Sequence, residues 1–376
     1  KIMKSFADSK SIVKKICALG LTCLGFASVA SAQQKIYIPE EFADFKEVSY
    51  KFHSEGPTLI FSDSPEFVQA NGILYRDLVM GKNRIFFHHL NDVKGTTKKL
   101  AVVLKNKNHL RPIRYIISRQ GMAGKTNNWL LDGKLAEENY FTKKEKPVEG
   151  KIGFGRTLEI ISGKGMLLNY YKLWTGIVDF EVDQEAELSV IMCDSPADIS
   201  IFNENAKILP MDEHPLRGTF NQADWVYDIK DEIKSDGNYM LKLASEAQGY
   251  IKGVDKTTGL PAENYGNYGV MYKMNFTIGG EHAMRFVLNP IGGPFNGWGV
   301  LEHEGKQQFI GMPAKDIATE NNVNDGRVLA KLKPGKYQFT WSPAGTSSLP
   351  LRFVWMPDER ITPRKYFKSY KAPQEE

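Results

Sequence analysis

Cysteine is scarce. The 376-residue chain has three, and two of them, Cys17 and Cys23, fall within its first thirty residues. The third, Cys193, ends the apolar run Leu188–Met192 and reads as a buried, inert thiol. A disulfide-stapled scaffold is therefore excluded, and stability must come from apolar cores. Metal signatures are missing too: there is no His-x-His, no H-E-x-x-H, no paired Cys and no calcium-loop pattern. No G-x-S-x-G nucleophile elbow occurs. The stretch Gly121-Met122-Ala123-Gly124-Lys125-Thr126 imitates a phosphate loop, but position 119, where its first Gly belongs, is Arg. No apolar run has comfortable transmembrane length. The metal and cofactor expectation is therefore none.

Charge of one sign is also lacking, once its location is considered. The formal net charge is +5. Residues 1–32 hold five Lys and one Asp, so 44 basic and 43 acidic side chains remain beyond them. That near-balance removes the argument for a nucleic-acid partner. The N-terminal segment itself reads as an export signal. Met3 reads as the start, Lys4, Lys10, Lys14 and Lys15 form a basic region, and Ile16–Val29 is apolar. Ala30-Ser31-Ala32 then offers a cleavage site between Ala32 and Gln33. The alternative is an uncleaved anchor. Localisation is expected to be extracytoplasmic: secreted, periplasmic or cell-surface, with no integral span after cleavage.

What the chain does have is β-type runs. They include Thr58–Ser62, Ile73–Met80, Arg84–Leu90, Met166–Trp174, Ile177–Val182 and Leu188–Met192 in the first half. Tyr268–Phe276, Ala283–Leu288, Tyr337–Trp341 and Leu351–Trp355 follow in the second. Val178 to Asp183 alternates apolar and acidic side chains, the mark of a strand with one wet face. One helix is expected over Thr126–Phe141, with Thr126 as N-cap and Gly133 as a weak point. Residues 195–216 are polar and carry Pro196, Pro210 and Pro215. The expectation is an all-β chain of two antiparallel β-sandwich domains, 33–200 and 217–357, with a linker at 201–216 and a flexible tail at 358–376. Asn71–Arg76 and Tyr268–Lys273 are alike enough to raise an internal repeat; coincidence between β-rich segments explains them equally.

The runs SDSPEFVQANGILYRD, KKLAVVLKNKN, LRGTF, NYGNYGVMYKM, NPIGG and GTSSLPLRFVWMP resemble uncharacterised secreted bacterial proteins that occur beside copper-amine-oxidase-like N-terminal (stalk) domains. The resemblance covers residues 60–357 and implies export without implying any activity. Amine-oxidase chemistry is not implied: Asn139-Tyr140 is followed by Phe141, and Asn264-Tyr265 and Asn267-Tyr268 by Gly.

Three constellations are candidates for function. The Gly- and Pro-rich stretch 289–299, with Tyr268 and Tyr272 before it, offers Asn289, Gly292, Gly293, Phe295 and Trp298. It reads as an aromatic platform for sugar rings or, more simply, as a loop whose Trp closes the end of the core. Next, residues 82–125 carry eleven basic side chains and one acid, whereas 177–213 carry ten acids and one base. Lys98, Lys99, Lys105, Lys107, Arg111 and Arg114 either form a basic face for an anionic polymer or pair with the acidic block across a sheet, worth roughly 0.2–1 kcal/mol per pair. Finally, Glu159, Asp224, Asp228, Glu302 and Glu304 could supply a glycosidase acid and base, which only separation in space can test. His88 and His89, adjacent in a strand, point to opposite faces and cannot chelate one ion together. The leading expectation is a non-catalytic envelope or surface module that binds carbohydrate, another envelope polymer or a surface protein. A hydrolase acting on envelope carbohydrate and a purely structural spacer are the alternatives.

Overall fold

Alternation of buried and exposed side chains becomes strand structure along most of the chain. Val178, Phe180 and Val182 are buried, while Glu181 and Asp183 face outward. The computed structural model describes residues 33–38, 44–108, 110–161, 166–245, 249–319 and 323–358. The expected export signal with Ala32, and the tail beyond residue 358, lie outside the described residues. Gln33 lies inside them; its side chain donates to Gly311 O at 2.8 Å and accepts from Ala314 N at 3.0 Å.

The first half contains β1 (Lys35–Tyr37), β2 (Phe45–Glu47), β3 (Tyr50–Glu55), β4 (Thr58–Ser62), β5 (Phe67–Val68), β6 (Gly72–Asn91), β7 (Thr97–Lys105) and β8 (Ile113–Gly124). Helix α1 (Trp129–Thr142) follows, then β9 (Val148–Ile152), β10 (Thr157–Ile161), β11 (Leu167–Asn169), β12 (Leu173–Asp194) and helix α2 (Ile199–Asn205). The second half contains β13 (Arg217–Phe220), β14 (Asp224–Ile233), β15 (Asn238–Leu243), β16 (Lys252–Asp255), β17 (Leu260–Glu263) and β18 (Met271–Ile278). It ends with β19 (Met284–Pro290), β20 (Gly297–His303), β21 (Lys306–Met312), β22 (Asp325–Leu332), β23 (Gly335–Pro343) and β24 (Leu351–Pro357). The chain is all-β with mostly antiparallel strands, as the patterning implies.

Two long strands organise the first half. β6 and β12 pair antiparallel from Leu90↔Leu173 to Gly72↔Met192. The opposite edge of β12 is shared, β8 pairing over Trp174–Val182 and β7 over Glu187–Asp194. The sequence runs Ile73–Met80 and Arg84–Leu90 are thus two halves of one strand. Gly81, in left-handed backbone at φ 70°, and a register shift between Val182 and Ala186 bend the ladder without ending it.

The second half builds two six-stranded sheets, β1-β22-β19-β24-β15-β2 and β21-β20-β23-β18-β14-β3. Their inner faces meet through aromatic rings. Phe286 of one sheet lies edge-on to Phe339 of the other at 5.2 Å, and Phe353 edge-on to Trp341 at 5.3 Å.

The pairing crosses the expected boundary at 201–216. β1, β2 and β3 supply the outer strands beside β22, β15 and β14, while β13, β16 and β17 extend the large sheet through β4. The described residues from 33 to 358 belong to one compact unit, with Leu59, Phe61, Phe86 and Ile177 of the large sheet packed into the same core as Tyr272, Trp341 and Phe353. The segment expected as a linker is held down: Ile73 N–H donates to Lys207 O at 2.9 Å and Leu209 N–H to Ile73 O at 2.8 Å. Unpaired strand edges must find partners, and here the partners come from the far half of the chain.

The N-cap of α1 lies two residues later than expected, because Asn128, not Thr126, accepts from Leu131 N. It is wedged between two β layers. A Cβ on Gly121 of β8 would lie 2.2 Å from Tyr140 N, and one on Gly133 would lie 2.6 Å from Gly345 O. Both close approaches require glycine.

Candidate functional site

The loop singled out at 289–299 closes the core. Tyr272 is fully buried and stacks on Trp341 at 4.3 Å, and Phe295 meets the same Trp341 edge-on at 5.9 Å. Asn289 is buried, donating to Val323 O and Asp325 O and accepting from Arg352 Nε at 2.8 Å. Gly292 passes so near Leu349 that a Cβ would sit 2.1 Å from its carbonyl oxygen, and Gly293 takes a φ of 132° beside Ser348. Trp298 is half-buried against the core. Tyr268 stacks on Phe86 and donates its hydroxyl to Ser347 O at 2.8 Å. These residues are brought together, but facing inward rather than as an exposed platform.

The two charge blocks face each other across β12. Lys98 pairs with Asp194 at 2.6 Å, Lys107 with Glu187 at 2.9 Å, Arg114 with Asp183 at 2.8 Å, and Lys105 with Glu204 of α2 at 2.9 Å. Lys99 pairs with Glu159 of β10. Arg111 alone of the six has no acidic partner among the described residues. The basic face is largely neutralised from within.

Half-buried and exposed aromatic rings gather elsewhere. Phe67 of β5, Trp129 at the start of α1, and Tyr170 and Tyr171 in the turn before β12 form a chain of ring contacts. Phe67 lies 5.6 Å from Trp129, Trp129 5.7 Å from Tyr171, and Tyr171 5.6 Å from Tyr170. Tyr170 and Tyr171 are 41% and 48% exposed. Each ring is fixed by its backbone. β5 pairs with β6 at Leu90, Asn128 caps α1, and Tyr171, at φ 62°, donates its N–H to Asn91 O at 2.7 Å. The run Met166–Trp174, read as one strand, is in fact broken by the turn that presents these two tyrosines.

Beside Phe67 lies a group of ionisable side chains. Asp212, from the expected linker, accepts from Ser64 Oγ at 2.8 Å and from Glu66 N at 2.7 Å, and so shapes the 63–67 loop. Asp63 is buried with Oδ1 unpartnered; burial, then the Glu66 and Asp212 charges, push its carboxyl well above the usual range. Burial and Asp212 raise Glu66 as well. His88 Nε2 stands 3.8 Å from Glu66 Oε1, its Nδ1 has no partner, and burial drives it down to about 3, so the ring is neutral. His89 faces the other way. Its Nδ1 must donate to Pro65 O at 2.9 Å, so Nε2 accepts from Ser62 Oγ at 2.8 Å. Among the described residues, no three His, Cys, Asp or Glu side chains group as metal ligands.

Such an arrangement can stack the apolar face of a flat ligand while polar groups at its margin bond the ligand's hydroxyls. It also sets a carboxyl that favours its proton near a second carboxyl, the pairing that acid–base chemistry uses. The residues come from β5, α1 and the 170–172 turn, so no single stretch of sequence announces them; the Tyr170-Tyr171 doublet is the one local signal.

No protein-family model and no curated protein matches the chain. Among solved structures, an allantoicase is 12% identical over 81% of this chain and 90% of its own, with a TM-score of 0.18. The oxalate decarboxylase of Lactobacillus farciminis is 8% identical over 87% and 86%, with a TM-score of 0.16. The vicilin of tomato is 9% identical over 80% and 85%, with a TM-score of 0.10. At such scores none of these likenesses bears on the fold or the chemistry of this chain.

Proposed function

We propose that this chain is an exported, envelope-associated protein that binds carbohydrate on the Phe67–Trp129–Tyr170–Tyr171 surface. The four-ring chain, with Tyr170 and Tyr171 exposed and Phe67 and Trp129 half-buried behind them, carries this reading. Large apolar rings left in water are costly unless something covers them, and here the polar margin at Glu66 suits a hydroxylated ligand better than a protein core. A purely structural spacer accounts for neither feature. The test is a glycan array probed with the purified chain, followed by affinity measurement on the best ligand. Trp129→Ala and Tyr171→Ala should each weaken binding at least tenfold, about 1.4 kcal/mol, with the thermal midpoint little changed. Absence of glycan binding, or binding indifferent to both substitutions, sinks the proposal.

A second reading, hydrolysis of the bound glycan, is favoured by one observation: Asp63, buried with Oδ1 unpartnered, shares the Asp212-held loop with Glu66, and burial raises both carboxyls. It predicts slow release of reducing ends that Glu66→Gln and Asp63→Asn each abolish while binding persists.

A further inference from the structure

A groove runs between β8 with the end of α1 on one side and the sheet of β18, β20, β21 and β23 on the other. Two adjoining cavities of about 370 and 340 Å³ form it, sharing Ser118, Arg119, Phe141 and Thr340. It lies at the C-terminal end of α1, and the four-ring cluster lies at the N-terminal end. The reasoning here is independent of those rings.

In the cavity of about 340 Å³, the charges of Arg84, Lys273, Asp179 and Asp224 are settled internally. Arg84 binds Asp179 through Nε at 2.7 Å and Asp224 through a terminal nitrogen at 2.8 Å. Tyr140 donates to Asp179 Oδ2 at 2.7 Å, and Lys273 reaches Asp224 at 3.0 Å. Arg84 and Lys273 thus have carboxylates and Asp179 and Asp224 have cations, whereas Arg119, which also lines this cavity, has no such partner among the described residues.

The cavity of about 370 Å³ differs. Arg119 lies 5.2 Å over the Tyr140 ring and has no carboxylate partner among the described residues. The nearby acids are bound by neutral amides instead: Gln120 donates to Glu145 at 2.8 Å and Gln307 to Glu302 at 2.6 Å. Lys143 and Lys144 add two more exposed cations at the rim. Three positive side chains therefore face two negative ones, and one positive charge stays uncompensated. Arg119 is also pre-positioned by its stacking, and a planar guanidinium suits a carboxylate or phosphate far better than a lysine does. Phe141 and Phe309 provide apolar wall, and Ser118, Thr340 and the two glutamines provide donors and acceptors for hydroxyls.

We infer that this groove binds a hydroxylated ligand bearing a single oxyanion, with Arg119 as the anion-binding residue. A sugar acid and a polyol phosphate share that chemistry. The test titrates the full chain, by chemical-shift perturbation, with glucuronate, with glycerol 3-phosphate and with glucose. At least one anion should bind several-fold more tightly than glucose, and which one identifies the source. Binding should weaken several-fold as salt is raised. Arg119→Ala should reduce anion affinity at least tenfold, and Arg119→Lys should restore part of it. An unchanged thermal midpoint is expected for both, since Arg119 is exposed. Equal affinity for glucose, no binding of either anion, or an anion affinity within twofold of the parent in Arg119→Ala overturns the inference.

Discussion

Both carboxyl oxygens of Glu137 are buried without a hydrogen-bond partner, on the face of α1 that looks toward Ser342. The Ser342 hydroxyl comes near enough to ease the carboxylate, yet does not complete a bond of good geometry. Burial dominates and pushes Glu137 up to about 8, against the help of Ser342 and the Arg84 charge. A raised carboxyl means that the folded chain keeps a proton that the unfolded chain releases above pH 4.5. The stability linked to that proton is complete below pH 4.5 and is lost as pH rises through about 8, a loss of a few kcal/mol. Glu137→Gln should remove that loss. Thermal midpoints measured across the pH range should match the parent in mild acid and exceed it in mild alkali. A parallel alkaline decline in both proteins would mean that the carboxyl titrates normally. Cys193 fits its reading from sequence: it is fully buried, and burial raises its thiol to about 11.

Helix α1 shows how far an element can depart from its own propensities. Glycine inside a helix costs about 1 kcal/mol relative to alanine, so Gly133→Ala would ordinarily stabilise. Here the new Cβ would meet the Gly345 carbonyl at 2.6 Å. Overpacking of this kind costs about 1–3 kcal/mol, and denaturant unfolding should show a loss in that range; a gain would mean that the loop around Gly345 yields. Strand patterning was legible wherever one face stayed wet, as at Val178–Asp183, or where short apolar runs had turn signals on both sides, as at Thr58–Ser62. Helix α2 was hidden because Asp198 caps only seven residues just after a proline. The glycines at 292 and 293 were visible, but their purpose was not. They let the backbone close over Leu349 and Ser348, and nothing in sequence distinguishes that from a ligand's approach. The four-ring cluster is not legible in sequence for a different reason: tertiary structure assembles it from three separate segments. The charge blocks were legible as blocks, and their partial pairing was one of two stated readings; only strand register decided it.

At the scale of the molecule, the formal charge of +5 belongs largely to the N-terminal segment, and beyond it part of the basic block pairs with the acidic one, Arg111 and Arg119 being among the side chains that do not. What binds the architecture is strand exchange. Lys35 pairs with Arg327, Phe45 with Asn238 and Tyr50 with Ile229. The first of these contacts joins residues almost 300 positions apart in the chain, and this has a kinetic meaning. Loop closure must precede such pairing, so folding that depends on it is slow and leaves edges open while it waits. β14, β15 and β22 stay uncovered until the N-terminal strands arrive, and an uncovered strand is a template for another chain. Deletion of residues 33–55 should therefore yield a protein that forms β structure but self-associates, seen as light scattering that grows with concentration during refolding; a monomeric, fully folded truncation would contradict this. Until β1, β2 and β3 have docked, the chain depends on dilution or a chaperone to keep its open edges apart.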